Sequence, residues 1–404
     1  MALMFPRTRT LCIVLTGLAL AVVSAEHAIA MSTRVLNPKV ALRIDSDEPV
    51  ALAREAALQL GVLQQAKKAI PRSLAEQARR SLTGLALNPA ALRILAIATQ
   101  PFGAQAADPR LVTLSDRISR RDLGTQVLRI KEGAVRKDIT IVRDAYDKAL
   151  TANEESWQLM FPPLAELMKS SEGREQFAYF IARGAPWLSP FFRTTLDTTK
   201  TPEPYFDLLI ARRGLSNLSG SRAIQDVLIN SLVANDDWSM ARLAFLYRGY
   251  GPPAALTSAD LNKTTIGDGK STLYWFFPRN SGLAAVPIGG RFLSISAEPG
   301  YSGTVAQKIL YLAPRRYDLA TTLAEPGDSE PADLAWSVQC LSDENKGHID
   351  LPVERSASAT RLMHTFTVPT TCNAVMLVLT AGAKPSARQG GSAAVQDIAL
   401  RPRS

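Results

Sequence analysis

Residues 334–340 read Leu334-Ala335-Trp336-Ser337-Val338-Gln339-Cys340, large apolar side chains alternating with small or polar ones. A two-residue period puts one set on a single face, so the stretch is a strand with one buried side, Trp336 and Cys340 turned inward. Working outward, Leu293 and Ile295 alternate with Ser294 and Ser296, and Tyr317, Leu319 and Thr321 repeat the rhythm. Val375–Leu379 is continuously apolar, as in a strand covered on both faces. Turn residues separate these runs at Glu298-Pro299-Gly300, Ala313-Pro314-Arg315 and Glu325-Pro326-Gly327-Asp328. Seven or eight short strands are therefore expected between residues 256 and 404, folded as an antiparallel β-sandwich.

Upstream the period lengthens. Leu74, Ala78, Leu82 and Leu85 recur every three or four residues, as do Ala91, Ile94, Leu95 and Ala98. Ile139, Val142, Tyr146, Ala149 and Leu150 do the same, the mark of helices that bury one stripe. Asn88-Pro89 and Asp108-Pro109 set a capping side chain before a proline at the first helical position. Gly249, Gly251, Pro252 and Pro253 end the pattern. The reading is a multidomain chain, α then β: a helical domain over 31–250 and a β-sandwich over 256–404.

Residues 1–30 read as a leader. Arg7 and Arg9 precede an apolar run from Leu11 to Val23 and then Ser24-Ala25, the layout of an export signal. Thirteen residues of helix reach about 20 Å, short of a hydrocarbon core of about 30 Å. A cleaved signal peptide is expected, after Ala25 or after Ala30, with an uncleaved membrane anchor as the alternative. Either way the body of the chain is expected to be exported, periplasmic or anchored in the inner membrane and facing the periplasm. Export leaves Cys340 and Cys372 as an even pair in an oxidising compartment, hence one expected disulfide. The other reading is two buried thiols packed as small apolar residues.

Two helical stretches carry a resemblance. Ala75–Pro89, ending Gly84-Leu85-Ala86-Leu87-Asn88-Pro89, looks like the second helix of a tetratricopeptide repeat running into the proline that opens the next. Asp138–Asn153, with Ala145-Tyr146-Asp147-Lys148-Ala149-Leu150, is similar to the same helix in another repeat. With Ser119–Gln126 leading into it, the layout resembles exported bacterial tetratricopeptide-like proteins, which implies a degenerate α-helical stack. In the β half, Leu312–Leu319, the Trp336 strand, Thr365–Pro369 and Gln396–Leu400 resemble a carbohydrate-binding-module or galactose-binding-like jelly roll. That family usually has glycine where Arg315 stands. Sugar binding is what this likeness implies; a plain structural sandwich is the other reading.

Composition narrows the chemistry. Of 404 residues, 46% are apolar and 21% charged, which excludes a disordered chain, a fibre and a polytopic membrane protein. His27 falls in the leader, His348 in a loop and His364 in a strand, with no metal-ligand spacing and no nucleophile motif beside them. No catalytic residue, metal or cofactor is expected. Glu154-Glu155 and Asp236-Asp237 are adjacent pairs, which a helix splays about 100° apart; Asp236 reads as a helix cap. Gly289-Gly290 and Gly390-Gly391 lack the context of a phosphate loop and read as turns.

The net charge is +9, yet residues 256–404 hold 14 basic against 13 acidic residues, so the excess lies in the helical half. Arg117, Arg120, Arg121, Arg129 and Lys131 are its densest part. They read either as a solvated helix surface or as a face for an acidic polymer or anionic headgroups. Export sets nucleic acid aside, and membrane contact is expected only through the leader if it stays uncleaved. Tyr274-Trp275-Phe276-Phe277 is the other unusual run. As a strand it would send two aromatics out of the core in any register, to pack on the helical half or to stack on sugar.

The expectation is a non-enzymatic, exported binding or scaffold protein of the cell envelope. Its expected partners are an envelope protein and polysaccharide, in surface-polysaccharide production or export. A glycan-modifying hydrolase and a purely structural subunit are the alternatives. Thiol labelling of the denatured, unreduced protein lacking its leader should find no free cysteine; two labelled sites would dispose of the bridge.

Overall fold

The computed structural model describes residues 20–100, 107–261, 271–278, 280–289, 292–324, 330–342, 347–358, 360–386 and 390–403. Arg7, Arg9 and most of the apolar run of the leader lie outside them, and residues 20–33 are helical. No helix among the described residues is long and apolar enough to cross a membrane. Helices precede strands, as the change of period requires. By its contacts the chain divides into two compact units, Met1–Met160 and Phe161–Ser404. The helical period stops later, at Gly249–Pro253, and the helices from Ser171 onward belong to the same contact unit as the strands.

In the first unit each helix packs on the next from Pro38–Ile44 to Ile139–Ala152. The caps form as the sequence implies: Asn88 accepts from the Ala91 amide at 3.3 Å, and Asp108 from Arg110 at 2.9 Å. Ala53, Ala56, Ala78 and Ala91 carry much of the core, small side chains that let helix axes approach. Gly133 does the same between Leu123–Arg136 and Ile139–Ala152, since a Cβ there would meet Val142 at 2.8 Å.

Some of the polar groups buried in this stack bond from one helix to another. Asp116 accepts from Gln126 Nε2 and from Lys148 Nζ, both at 2.8 Å, and Lys148 also reaches Asp144 at 2.8 Å. Burial alone would raise the Asp116 carboxyl. The bonds from Gln126 and Lys148 outweigh it and hold the group below the usual carboxylate range. Lys148 is likewise raised, burial being overcome by its two carboxylates. Asp122 caps Leu123–Arg136 through the Thr125 amide at 2.9 Å and takes the Arg93 guanidinium at 2.9 Å.

The second unit holds helices from Ser171–Arg183 to Trp238–Leu246 and a two-sheet antiparallel sandwich. Ten strands stand among the described residues, more than the seven or eight the alternation marks out. They are β1 (Leu283–Ile288), β2 (Phe292–Ala297), β3 (Ser302–Leu310), β4 (Arg316–Leu323), β5 (Asp333–Ser342), β6 (Gly347–Leu351), β7 (Glu354–Ser358), β8 (Arg361–Thr367), β9 (Ala374–Gly382) and β10 (Gly391–Pro402). One sheet runs β1-β2-β10-β4-β8-β7 and the other β3-β9-β5-β6. Short β6 and β7 carry too few apolar residues to show a period.

Trp336 turns inward, and its indole donates to Thr321 Oγ1 across the sheets at 2.8 Å. Leu334, Val338, Leu377, Leu379, Leu319 and Phe366 complete the core around it. β9 is covered on both faces along most of its length, the reason its sequence does not alternate. Cys340 of β5 and Cys372, just before the neighbouring β9, are joined as a disulfide with Cα atoms 5.5 Å apart. Arg315 adopts no positive φ, so its turn has no need of glycine.

The free edge of β3 is closed by residues 271–278, which form no regular strand. Phe276 and Gln307 exchange two backbone hydrogen bonds of 2.9 Å. Trp275 enters the core at 2% exposure, donating to the Ala259 carbonyl at 3.2 Å and lying 6.2 Å from the Trp336 ring. Helix Trp238–Leu246 packs against the same edge: Phe245 meets Tyr274 at 5.3 Å, and the Tyr311 hydroxyl donates to the Trp238 carbonyl at 2.8 Å. Trp275→Ala should therefore cost about 3–5 kcal/mol in denaturant unfolding, against under about 1 kcal/mol for Phe276→Ala at the surface. Equal losses would contradict this placement.

Candidate functional site

The aromatic run splits three ways. Trp275 and Phe277 stack at 6.3 Å and pack with the sandwich core, so the Trp275 ring is closed to any ligand. Tyr274 is half-buried against Phe245. Phe276 is the member at the surface, 41% exposed. Two aromatics do leave the core, but along an edge-covering segment held by a single bridge.

Phe276 shares its face with Gln307, its bridge partner, and the register carries that row across the sheet to Val378 and Ser337. A neighbouring row on the same outer face runs Thr380–Ala335, and the one on the far side of Ser337 runs Ile309–Met376–Gln339–Asp350. The Gln339 amide donates to Asp350 at 3.1 Å, and Thr380 to the Ala335 carbonyl at 3.1 Å. The accessible part of the face presents the exposed Phe276 ring and the half-buried Gln307, Ser337, Gln339 and Thr380, while Val378 and Ile309 in the same rows are buried. Where β3 begins and β9 ends, a cavity of about 640 Å³ opens on it, bordered by Ser302, Asp333, Thr380 and Lys384. Gly382 lies on its floor, where a Cβ would stand 3.0 Å from Ser302. Small residues leave the room, and Asp333 and Lys384 bring one charge of each sign.

Beside the bridge, Lys308 has no solvent exposure. It pairs with Leu377, so its side chain starts on the core face of β3, and its Nζ donates to the Leu273 carbonyl at 3.0 Å, 5.7 Å from the Tyr274 ring. Burial lowers its ammonium to about 7. Nothing in the sequence pattern around it marks this lysine as buried. It belongs to the joint that holds Phe276 in place.

Arg117, Arg120, Arg121 and Lys131 are exposed on the first unit and Arg129 is half-buried. The structure does not gather them round a cavity among those described. Glu154 and Glu155 are exposed on a short 3-10 turn. Asp236 is not the cap: it takes a left-handed φ of 61° in the link between two helices, and Asp237 holds the cap position of Trp238–Leu246. His364 is buried on β8 and His348 is a residue of β6, not of a loop. Among the described residues no group of three or more His, Cys, Asp or Glu could hold a metal ion.

No protein-family model matches this sequence, and no curated protein matches it. Among solved structures it is similar to a carbohydrate binding module of family 29, at 11% identity and a TM-score of 0.21, over 36% of this chain and 86% of that one. A variant of a family 29 module studied for ligand recognition aligns at 12% identity and a TM-score of 0.20, over 36% and 91%.

Between about pH 7, where native Lys308 loses its proton, and the ordinary lysine value of 10.5, the unfolded chain binds a proton that the native chain does not. Stability should therefore rise with pH across this window, as the cost of burying the charge disappears. Denaturant unfolding at pH 6.5 to 9.5 should show that rise, and Lys308→Met should flatten it. An unchanged slope in the variant would mean that Lys308 does not titrate there.

Proposed function

We propose that the protein is an exported binding protein of the cell envelope, not an enzyme, that holds a glycan on the outer face of the β3-β9-β5-β6 sheet. The observation that carries this reading is the combination on one face of the exposed Phe276 ring, the Gln307, Ser337 and Thr380 side chains, and the adjoining cavity with Asp333 and Lys384. A sugar offers apolar C–H faces and a ring of hydroxyls. An aromatic edge with interspersed amides, hydroxyls and a carboxylate meets both, on strands that need no reordering. The 640 Å³ volume suits a residue or two of a chain.

Hydrolysis of a glycoside in the usual way needs two carboxyl groups flanking the bond. This cavity is bordered by one, Asp333, which favours holding over cutting. Export rests on the leader pattern and is supported by the Cys340–Cys372 disulfide. The helical stack supplies surface for a protein partner, and the joint reading is service in surface-polysaccharide production or export.

Calorimetric titration of the full chain with neutral and acidic envelope polysaccharides tests this directly. Saturable binding is expected, weakened about tenfold by Phe276→Ala, within the range for a stacked ring, and comparably by Asp333→Ala. Absence of binding across the panel, or release of new reducing ends during incubation, would overturn the reading.

A further inference from the structure

At the other end of β3, roughly 25 Å of strand from the first cavity, the structure holds a second one of about 500 Å³. Its lining contains two arginines, Arg242 and Arg315, and no acidic residue. Neither guanidinium is in an ion pair among the described residues, although twelve such pairs occur elsewhere in them. Each lies over a tyrosine ring that also borders the cavity: Arg242 over Tyr311 at 5.7 Å and Arg315 over Tyr317 at 5.6 Å.

Both rings are anchored. The Tyr311 hydroxyl donates to the Trp238 carbonyl at 2.8 Å, and the Tyr317 hydroxyl to the Ala313 carbonyl at 3.0 Å. Arg315 Nε in turn donates to Tyr317 at 3.1 Å. Stacking on fixed rings restricts two long side chains before any ligand arrives, which lowers the ordering cost of binding. Thr257 and Asn373 add neutral polar groups to the wall. Asn373 is tied to Ser239 at 3.1 Å, and the disulfide fixes Cys372 beside it.

We propose that this cavity is a binding site for an oxyanion, a carboxylate or phosphate group, carried by a ligand. Two uncompensated guanidiniums lining one cavity, with their planar donors free of carboxylates, match the paired oxygens of such a group. The site goes beyond the glycan face and stands without it, since the two share no lining residue.

The full chain, titrated at constant ionic strength with inorganic phosphate and with glucuronate, should show saturable binding of at least one. Arg242→Gln and Arg315→Gln should each weaken it at least tenfold, and reducing the disulfide should weaken it too. Phosphate alone would assign a phosphorylated ligand, glucuronate alone an acidic sugar; both outcomes support the site. If Arg315→Gln fails to fold, Arg242→Gln decides, because it alters an exposed helix position. Saturation by neither anion, or binding untouched by the arginine substitutions, would overturn the proposal.

Discussion

The two backbone hydrogen bonds between Phe276 and Gln307 set the frame for most of the second unit. β3 ends its sheet, and an open strand edge invites pairing with anything extended. The chain covers it with its own residues 271–278 before the first strand of the sandwich begins. That single bridge fixes which aromatics face where. Trp275 and Phe277 fall to the core, Phe276 to the outer face beside Gln307, and Tyr274 to Phe245 of the last long helix.

The same edge explains a costly feature. Lys308 pairs with Leu377 and so must begin on the core side, where charge is disfavoured. Its Nζ reaches the Leu273 carbonyl of the covering segment, which makes the lysine a strut between strand and cover. The first unit solves its burial problem differently. Asp116 accepts from both Gln126 and Lys148 between helices, so the Asp116 and Lys148 charges remain and stabilise the packing. One unit holds a neutralisable base at a joint, the other a paired acid and base.

Both candidate sites lie along β3, one near each end, and both depend on what limits backbone motion there. The proposed glycan face is rigid because β9 and β5 are the inner strands of its sheet, the β3 edge is closed by residues 271–278, and the Trp336 cluster lies beneath. The arginine-lined cavity takes its walls from helix Trp238–Leu246, the turn before β4 and the disulfide-pinned turn before β9. The two proposed sites, one for hydroxyls and one for an anion, thus share one scaffold.

Much of the architecture was legible in the sequence, because period is a local property. Alternation at 334–340, 293–296 and 317–321 marked β5, β2 and β4, and the three-to-four rhythm marked the helices with their Asn88 and Asp108 caps. The cysteine pair followed from an even count and the expectation of export. Short β6 and β7 carry no period that would mark them, and the aromatic run forms no regular strand, its backbone pairing through one bridge. Which aromatic meets solvent, that Lys308 is buried, and that Arg242 and Arg315 meet at one cavity depended on registers between residues far apart in the chain. Local pattern fixes which face of an element is apolar; only the packing of distant elements decides which polar groups that face encloses and which it leaves for a ligand.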